Sequence, residues 1–475
     1  MKNKSPKRSL LSSVMASAIL VFGAAAPAAP VGYFPYTNVF TSATITGATP
    51  YSALVMGVGG VLFGTAVQGG PNGDGVLFQI NPDGTGYSVL HYFGVTNNDG
   101  VLGSPLGVLI SRAGYLGGLM IASNNQIYGT TPSGGSNGLG TLYTIRQDGS
   151  GYQILYSFTS EPASPVLQGV DGMFYGKCGY TDTAPGVYKI SPTGSDYTNL
   201  HQFTGNATSS GLIQGNDGFL YGTSQDGGYG SIFRMDTNGL TFTNLYTFTG
   251  GADGFIPSGS LVQGSNNVLF GTTSAGGSNN FGDIYEIHPD GSGFQVLYAF
   301  INGPVTNSDD LVTNYQGLPA SGLVIGPGGY LYGTTTGGVG GGGDGSIYQI
   351  AQNGSGFTQL YVFQVSPNDA LAPHGALCVG SSSGTSGVLF GTSIVGGQAG
   401  IGAIFAILLN PPATITPVTS AGQTTVFWPS WALGYHLQAT TNLGGGTWTD
   451  VTNGVSVIGV QLPAADSAFF RLVYP

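Results

Sequence analysis

The stretch "GFLYGTSQDGGYGSIFRM" (residues 218–235) sets an apolar run, a Gly-Thr stop, a glycine-rich gap and a second apolar run in order. The same arrangement occurs six more times. The first run reads "VLFGTA" (61–66), "QIYGTT" (126–131), "MFYGKC" (173–178), "VLFGTT" (268–273), "YLYGTT" (330–335) and "VLFGTS" (388–393). Each is followed by a second run such as "GVLFQI", "GDIYEI" or "GSIYQI". In six units a turn of the "PDGSG" kind then leads to a third run, such as "FQVLYAF" or "FTQLYVF". A further short run, such as "SLVQG" (260–264), precedes the Gly-Thr element. These runs hold 4–7 residues, are rich in Val, Ile, Tyr, Phe and Thr, and end at Gly, Asn, Asp or Pro, which is the signature of strands. Four short strands per unit, recurring every 46 to 65 residues, spell a seven-bladed β-propeller in an all-β chain.

The seventh unit lacks its last run, because "GAIFAILLN" leads straight into "PPATITP". A lookalike of that run, "YTNVF" (36–40), stands before the first unit and matches "FTNLY" (242–246). The N-terminal segment is therefore expected to supply the outer strand of the last blade, pairing with 402–408. That would close the ring and remove an open sheet edge.

The motifs "LYGTT…GG", "G-x-I-Y-x-I" and "G-x-F-x-x-L-Y-x-F" resemble the Gloeo/Verruco (GloVer) tandem repeat of exported bacterial proteins. The resemblance runs over about residues 36–409, and "MFYGKC" departs from it in the third unit. It implies export and a surface or extracellular setting, and it implies no established activity. Relatives often end in a sorting signal with an apolar helix and a basic tail, whereas this chain ends "AFFRLVYP".

Composition narrows the function classes. Charged residues make up only 7% of the 475, against about 25% in a typical soluble protein. Residues 1–28 carry a basic "MKNKSPKR", an apolar "LLSSVMASAILVFGAAA" and a small-residue "APA" ending at Ala28, the pattern of a secretory signal peptide. Its removal takes Lys2, Lys4, Lys7 and Arg8, leaving six basic residues against 21 acidic ones. So acidic a chain has no basic footprint for nucleic acid. The expected setting is secreted or cell-surface, with the periplasm as alternative, and the expected state a monomer with no transmembrane segment after cleavage. Cys178 and Cys378 occupy different positions in distant repeats and read as small apolar fillers rather than a disulfide.

Residues 29–409 thus read as the propeller. Residues 410–475 open on a proline-rich joint and then lose the repeat, reading as a small β-sandwich of fibronectin-III-like type. Trp428, Trp431 and Trp448 belong to that tail as core fillers or as a sugar platform.

No catalytic constellation stands out. His91 and His201 take the place of Tyr156, Tyr246, Tyr298 and Tyr361 in other repeats, so they read as strand residues. Asp83, Asp148 and Asp290 sit in Asp-Gly turns. Asp99, Asp253, Asp310 and Asp369 recur between blades. They read as turn caps or as oxygen ligands that could gather on one rim around a structural divalent cation such as calcium; no other cofactor is implied. Lys177 and Cys178 break the Gly-Thr column.

Strand alternation puts the inter-blade loops and the middle-hairpin loops on one face. The inter-blade loops vary widely: 25 residues separate Phe93 from Leu119, 22 separate Phe300 from Leu323, and 7 separate Phe158 from Val166. Long loops in a compact repeat cost closure entropy and usually carry function. Ligand binding is therefore expected on this face, through Asp99, Arg112, Tyr115, Asp253, Asp310, Tyr315 and Asp369. The reading is a non-catalytic module for an extracellular glycan or protein. The alternative is a polysaccharide hydrolase or lyase working through carboxylates of that face.

Overall fold

The computed structural model describes residues 32–409 apart from 37–38, 42–45, 97, 103–117, 180–184, 206–209, 258, 302–304, 307–311, 314–317, 320, 337–344, 365–368 and 384–385. Beyond 409 it describes the strands 416–420, 423–427, 436–440, 449–450, 459–462 and 469–473. One compact unit spans Gly32–Leu409. It is a seven-bladed β-propeller of antiparallel sheets, whose only described helical pieces are two three-residue 3-10 turns. Blade 5 shows the plan. Val262–Gln263 pairs with Leu269–Ala275, which pairs with Asp283–Ile287, which pairs with Gln295–Ala299. The short first strands of neighbouring blades contact one another, as Val55–Met56 contacts Gly118–Ile121 and Cys378–Ser383, so they are innermost.

The recurring glycine is explained by the residue that faces it. In the ladders Gly129 faces Tyr143, Gly271 faces Tyr285 and Gly333 faces Tyr348. A Cβ on these glycines would lie 2.3, 2.4 and 2.3 Å from the facing tyrosine oxygen. Phe78, Phe233 and Phe405 press the same way on Gly64, Gly222 and Gly391. The aromatic ring of the third strand folds over the second strand, and only a residue without a side chain leaves it room. These buried rings, with Leu, Ile and Phe from the adjoining blade, build a chain of small cores from seam to seam.

The ring closes with an N-terminal strand in a register four residues earlier than expected. Gly32–Tyr36, not 36–40, pairs antiparallel with Ala403–Leu409, from Gly32 opposite Leu408 to Tyr36 opposite Ile404. The outer strands account for one residue of that offset. In the other six blades a bulge shifts their register, for example between Ile284 and Tyr285, and sets Tyr298 opposite Ile284. The closing strand has no such shift, so Tyr36 reaches the equivalent place opposite Ile404 by a different spacing. The Thr-Asn shared by 37–38 and 243–244 was a misleading anchor. Pro35 is accommodated because the outermost strand needs no N–H on its free side. Val39 and Phe40 turn inward instead, and Phe40 packs edge-on against Phe78 and Tyr87 of blade 1.

Among the described residues after Leu409 the strands form two three-stranded antiparallel sheets. One is ordered Thr416–Ser420, Gln423–Phe427, Gly459–Leu462, and the other Thr449–Asp450, His436–Thr440, Phe469–Val473.

Candidate functional site

The inter-blade face is uneven in structure as well as in length. In blades 5, 6 and 7 a piece of the incoming loop adds a short strand to the Gly-Thr strand: Phe255–Pro257, Leu318–Pro319 and Ala370–Pro373. In blade 2, Gly100–Val101 pairs with Ser133–Gly134 beside the main sheet. Blades 1 and 3 have a single bridge there, Ala48 to Gln68 and Pro162 to Cys178. The loop before blade 6 also carries its own hairpin, Val305–Thr306 with Val312–Thr313. The opposite face repeats one device. Asp83, Asp148 and Asp290 each accept from the backbone N–H and the hydroxyl two residues on, at 2.6–2.9 Å. Those bonds hold the three exposed carboxyls below the usual range.

Three of the expected ligand residues lie at three different seams. Between blades 1 and 2, Asp99 is buried and accepts from Tyr152 Oη at 2.6 Å, while His91 Nε2 lies 3.4 Å from its other oxygen. Burial pushes this carboxyl up, but the bonds from His91 and Tyr152 outweigh it and hold the group low. Between blades 6 and 7, Asp369 accepts from Tyr33 (2.6 Å), Tyr361 (2.9 Å) and the N–H of Gln364 (2.7 Å). Between blades 4 and 5, Asp253 accepts from Tyr246 Oη (3.0 Å) and from Thr249 N–H (2.8 Å) and Oγ1 (2.5 Å). The structure does not collect these acids into one ligand set. Among the described residues no group of three or more His, Cys, Asp or Glu is placed to hold a metal. Arg112, Tyr115, Asp310 and Tyr315 lie outside the described residues.

An aromatic stack runs through the same seams. His91 stacks on Tyr152, His201 on Phe242, Tyr246 on Phe294, Tyr298 on Phe357 and Tyr361 on Tyr33, with ring centroids 3.6–3.8 Å apart. The two histidines therefore stand as flat rings in an aromatic column. His374 stacks on Tyr51 in the same manner, and burial pushes its imidazole down to about 4.

Sequence reasoning passed over two residues with definite roles. Asp226, in the middle hairpin of blade 4, accepts from Thr204 N–H and Oγ1 and from Gly205 N–H at 2.6–2.9 Å, tying in the exit of blade 3. Its signal was an acid inside a hairpin loop rather than between blades. Lys177 was noticed only as a break in the Gly-Thr column. That column links each blade to its neighbour or to its own incoming loop: Thr272 Oγ1 donates to Ser321 O (3.1 Å) and Thr392 Oγ1 to Ser52 O (3.0 Å). Lys177, with no exposed surface, reaches across from blade 3 and donates through Nζ to Ser210 Oγ (2.9 Å) and Thr223 O (3.0 Å). Burial drives its ammonium pKa well below the usual value. An enclosed amine of this kind holds two blades together.

A mainly apolar cavity of about 440 Å³ opens at the closing seam, lined by Tyr36, Met56, Pro82, Val388, Phe390 and Leu408 among others. Ala406 lines it, at a place where five of the other six blades carry the longer Gln79, Lys189, Arg234, Glu286 or Gln349.

A family model described as the Gloeobacter/Verrucomicrobia repeat matches residues 115–318, which takes in blades 2 to 5. Over those residues the repeat seen in the sequence matches that model, and they lie within a seven-bladed propeller. No curated protein matches the sequence. Among solved structures, a fungal alcohol oxidase in complex with copper is similar at 12% identity and a TM-score of 0.50, covering 90% of this chain and 91% of that one. An oligogalacturonate lyase in complex with manganese is similar at 11% identity and TM-score 0.48, covering 83% of this chain and 99% of the other. Puromycin hydrolase is similar at 12% identity and TM-score 0.48, with 80% of this chain and 58% of that one covered, so the match spans less than two thirds of the hydrolase. Likeness at such identities reports the fold alone. Among the described residues no helix is long and apolar enough to cross a membrane.

Proposed function

We propose that this protein is an exported, non-catalytic propeller whose inter-blade face binds an extracellular glycan or protein. The observation that carries the reading is the contrast between the two faces. One repeats the same capped turn, and the other changes from blade to blade in loop length and in added strands. A scaffold that needs only to close has no use for that variation, and binding residues concentrate on such loops. Asp253 and Asp369 spend both oxygens on hydrogen bonds and Asp99 spends one, with His91 beside the other, which supports contact residues drawn from the loops 94–118 and 301–322, with Arg112, Tyr115, Asp310 and Tyr315 as their richest chemistry.

The test is a glycan array and a pull-down of surface proteins with the secreted protein. Variants with loop 94–118 trimmed only between Leu102 and Gly118, or loop 301–322 only between Ile301 and Leu318, are then compared with it. The expected result is retained fold with binding lost in at least one variant. Binding that survives both changes, or release of new sugar ends from a polysaccharide, would overturn the assignment. Mass analysis of the exported form should show Ala29 as its first residue; an uncleaved, cell-retained chain would contradict export.

A further inference from the structure

The first residue of the third strand is small or hydroxylic in six blades: Val76, Thr141, Gly186, Ser231, Ser346 and Ala403. Where it is a hydroxyl, it pairs with the hydroxyl directly opposite on the Gly-Thr strand. Thr131 and Thr141 are 2.9 Å apart, Ser224 and Ser231 2.8 Å, and Thr335 and Ser346 2.9 Å. Blade 5 places Asp283 there, opposite Thr273. Its backbone N–H donates to Thr273 Oγ1 at 3.0 Å, as in the sister blades. Its side chain has no exposed surface, and Oδ1 and Oδ2 are both buried without a hydrogen-bond partner among the described residues.

The carboxylate lies against two glycines of the inter-blade turns. A Cβ on Gly254 would come within 2.8 Å of Oδ2, and one on Gly277 within 2.2 Å of Oδ1. Gly254 follows Asp253, so a second acid stands beside the Asp283 carboxylate. An ionised carboxylate enclosed in protein needs a counter-charge or donors, and here a second acid is its neighbour. Asp253 is already supplied with donors by Tyr246, Thr249 and Gly251, so it cannot relieve Asp283.

We propose that Asp283, with the Asp253–Gly254 turn and Thr273, forms a binding site for a hard divalent cation of the calcium class at the loop end of blade 5. The donors are oxygens: the two unpartnered carboxylate oxygens of Asp283 and the Thr273 hydroxyl, with the charge of Asp253 beside them. Such a set suits Ca²⁺, which accepts bidentate carboxylates and irregular geometry, rather than a thiolate- or imidazole-seeking metal. The cation would replace the hydroxyl pair of the sister blades as the tie between the turn and the strand pair. It would fasten the base of the loop that leads into this blade.

The test uses the full chain at pH 8, stripped with EDTA and then titrated with Ca²⁺ or Mn²⁺ while melting and heat of binding are followed. A rise of several degrees in Tm, with one binding event per chain, is expected. Asp283→Ser restores the residue found at this place in blades 4 and 6, so it should fold. It should also be at least as stable as wild type in EDTA and lose the cation-dependent rise. Asp253→Asn should weaken the binding without abolishing it. No cation-dependent rise in the wild-type protein, or an equal rise in Asp283→Ser, would overturn the site and leave Asp283 as a buried acid that is simply protonated.

Discussion

Blades 3 and 5 each bury one ionisable side chain where their sisters carry a hydroxyl or a smaller group, and the two cases end differently. Lys177 sits in the Thr column and donates to two oxygens of blade 4, and burial lowers its ammonium pKa well below the usual value. Asp283 sits one strand outward, with no donor for either oxygen among the described residues and a second acid close by. A repeat tolerates an ionisable replacement when the adjoining blade already presents groups of the complementary kind. The inner ring is rich in carbonyls and hydroxyls, which suits an amine. The turn at Asp253 is itself an acceptor site, which does not suit a carboxylate.

The two residues should also pull stability in opposite directions with pH. Unfolding lets Lys177 take up a proton, so its contribution improves as pH rises toward the unfolded lysine value. Folding raises the Asp283 carboxyl from about 4 to about 7. Its contribution is therefore intact below pH 4 and is lost as pH rises through 7.

The largest expected effect is at Lys177. Lys177→Ala should cost about 2–5 kcal/mol in denaturant unfolding, through a cavity and two bereft acceptors. Lys177→Met fills the space and should cost less than half as much; equal losses would show that packing, not the amine's bonds, is irrelevant to the seam.

Next comes Asp283→Ser in EDTA. It should stabilise the propeller by about 2–4 kcal/mol at pH 8 and by little at pH 4. A gain that does not depend on pH would show that the carboxyl stays in one protonation state throughout.

The smallest concerns Asp369, a carboxylate with the donors that Asp283 lacks. Tyr33→Phe keeps the stack on Tyr361 and removes one donor, so it should cost about 1 kcal/mol. No change in the midpoint would mean that the hydrogen bonds from Tyr361 and Gln364 already suffice.

Much of the architecture was legible because the repeat has a local cause. A ring over a glycine demands the same residues in every blade, so seven copies could be counted and the missing outer strand located at the N-terminal end. The register of that strand was not legible. A local match of Thr-Asn set the wrong residues opposite the last blade, and a bulge present in six outer strands and absent from the seventh, which changes the spacing by one more residue, leaves no fixed mark in sequence. The candidate acids were visible as a recurring set, but their partners were not. Tyr33 and Asp369 are 336 residues apart, and they meet only because the ring closes.

By itself the sequence determined the strands, their number per unit, the count of blades and the face on which the long loops emerge. These follow from alternation, turn chemistry and contacts between neighbours in the chain. Only the tertiary structure decided which ionisable groups are paired. It makes Asp99 and Asp369 seam ties, Asp253 a turn cap, Lys177 a buried bridge and Asp283 a carboxylate without donors among the described residues. The physical reason is that a charge's state is set by everything packed within a few ångströms of it, and in a closed ring those neighbours come from the next blade.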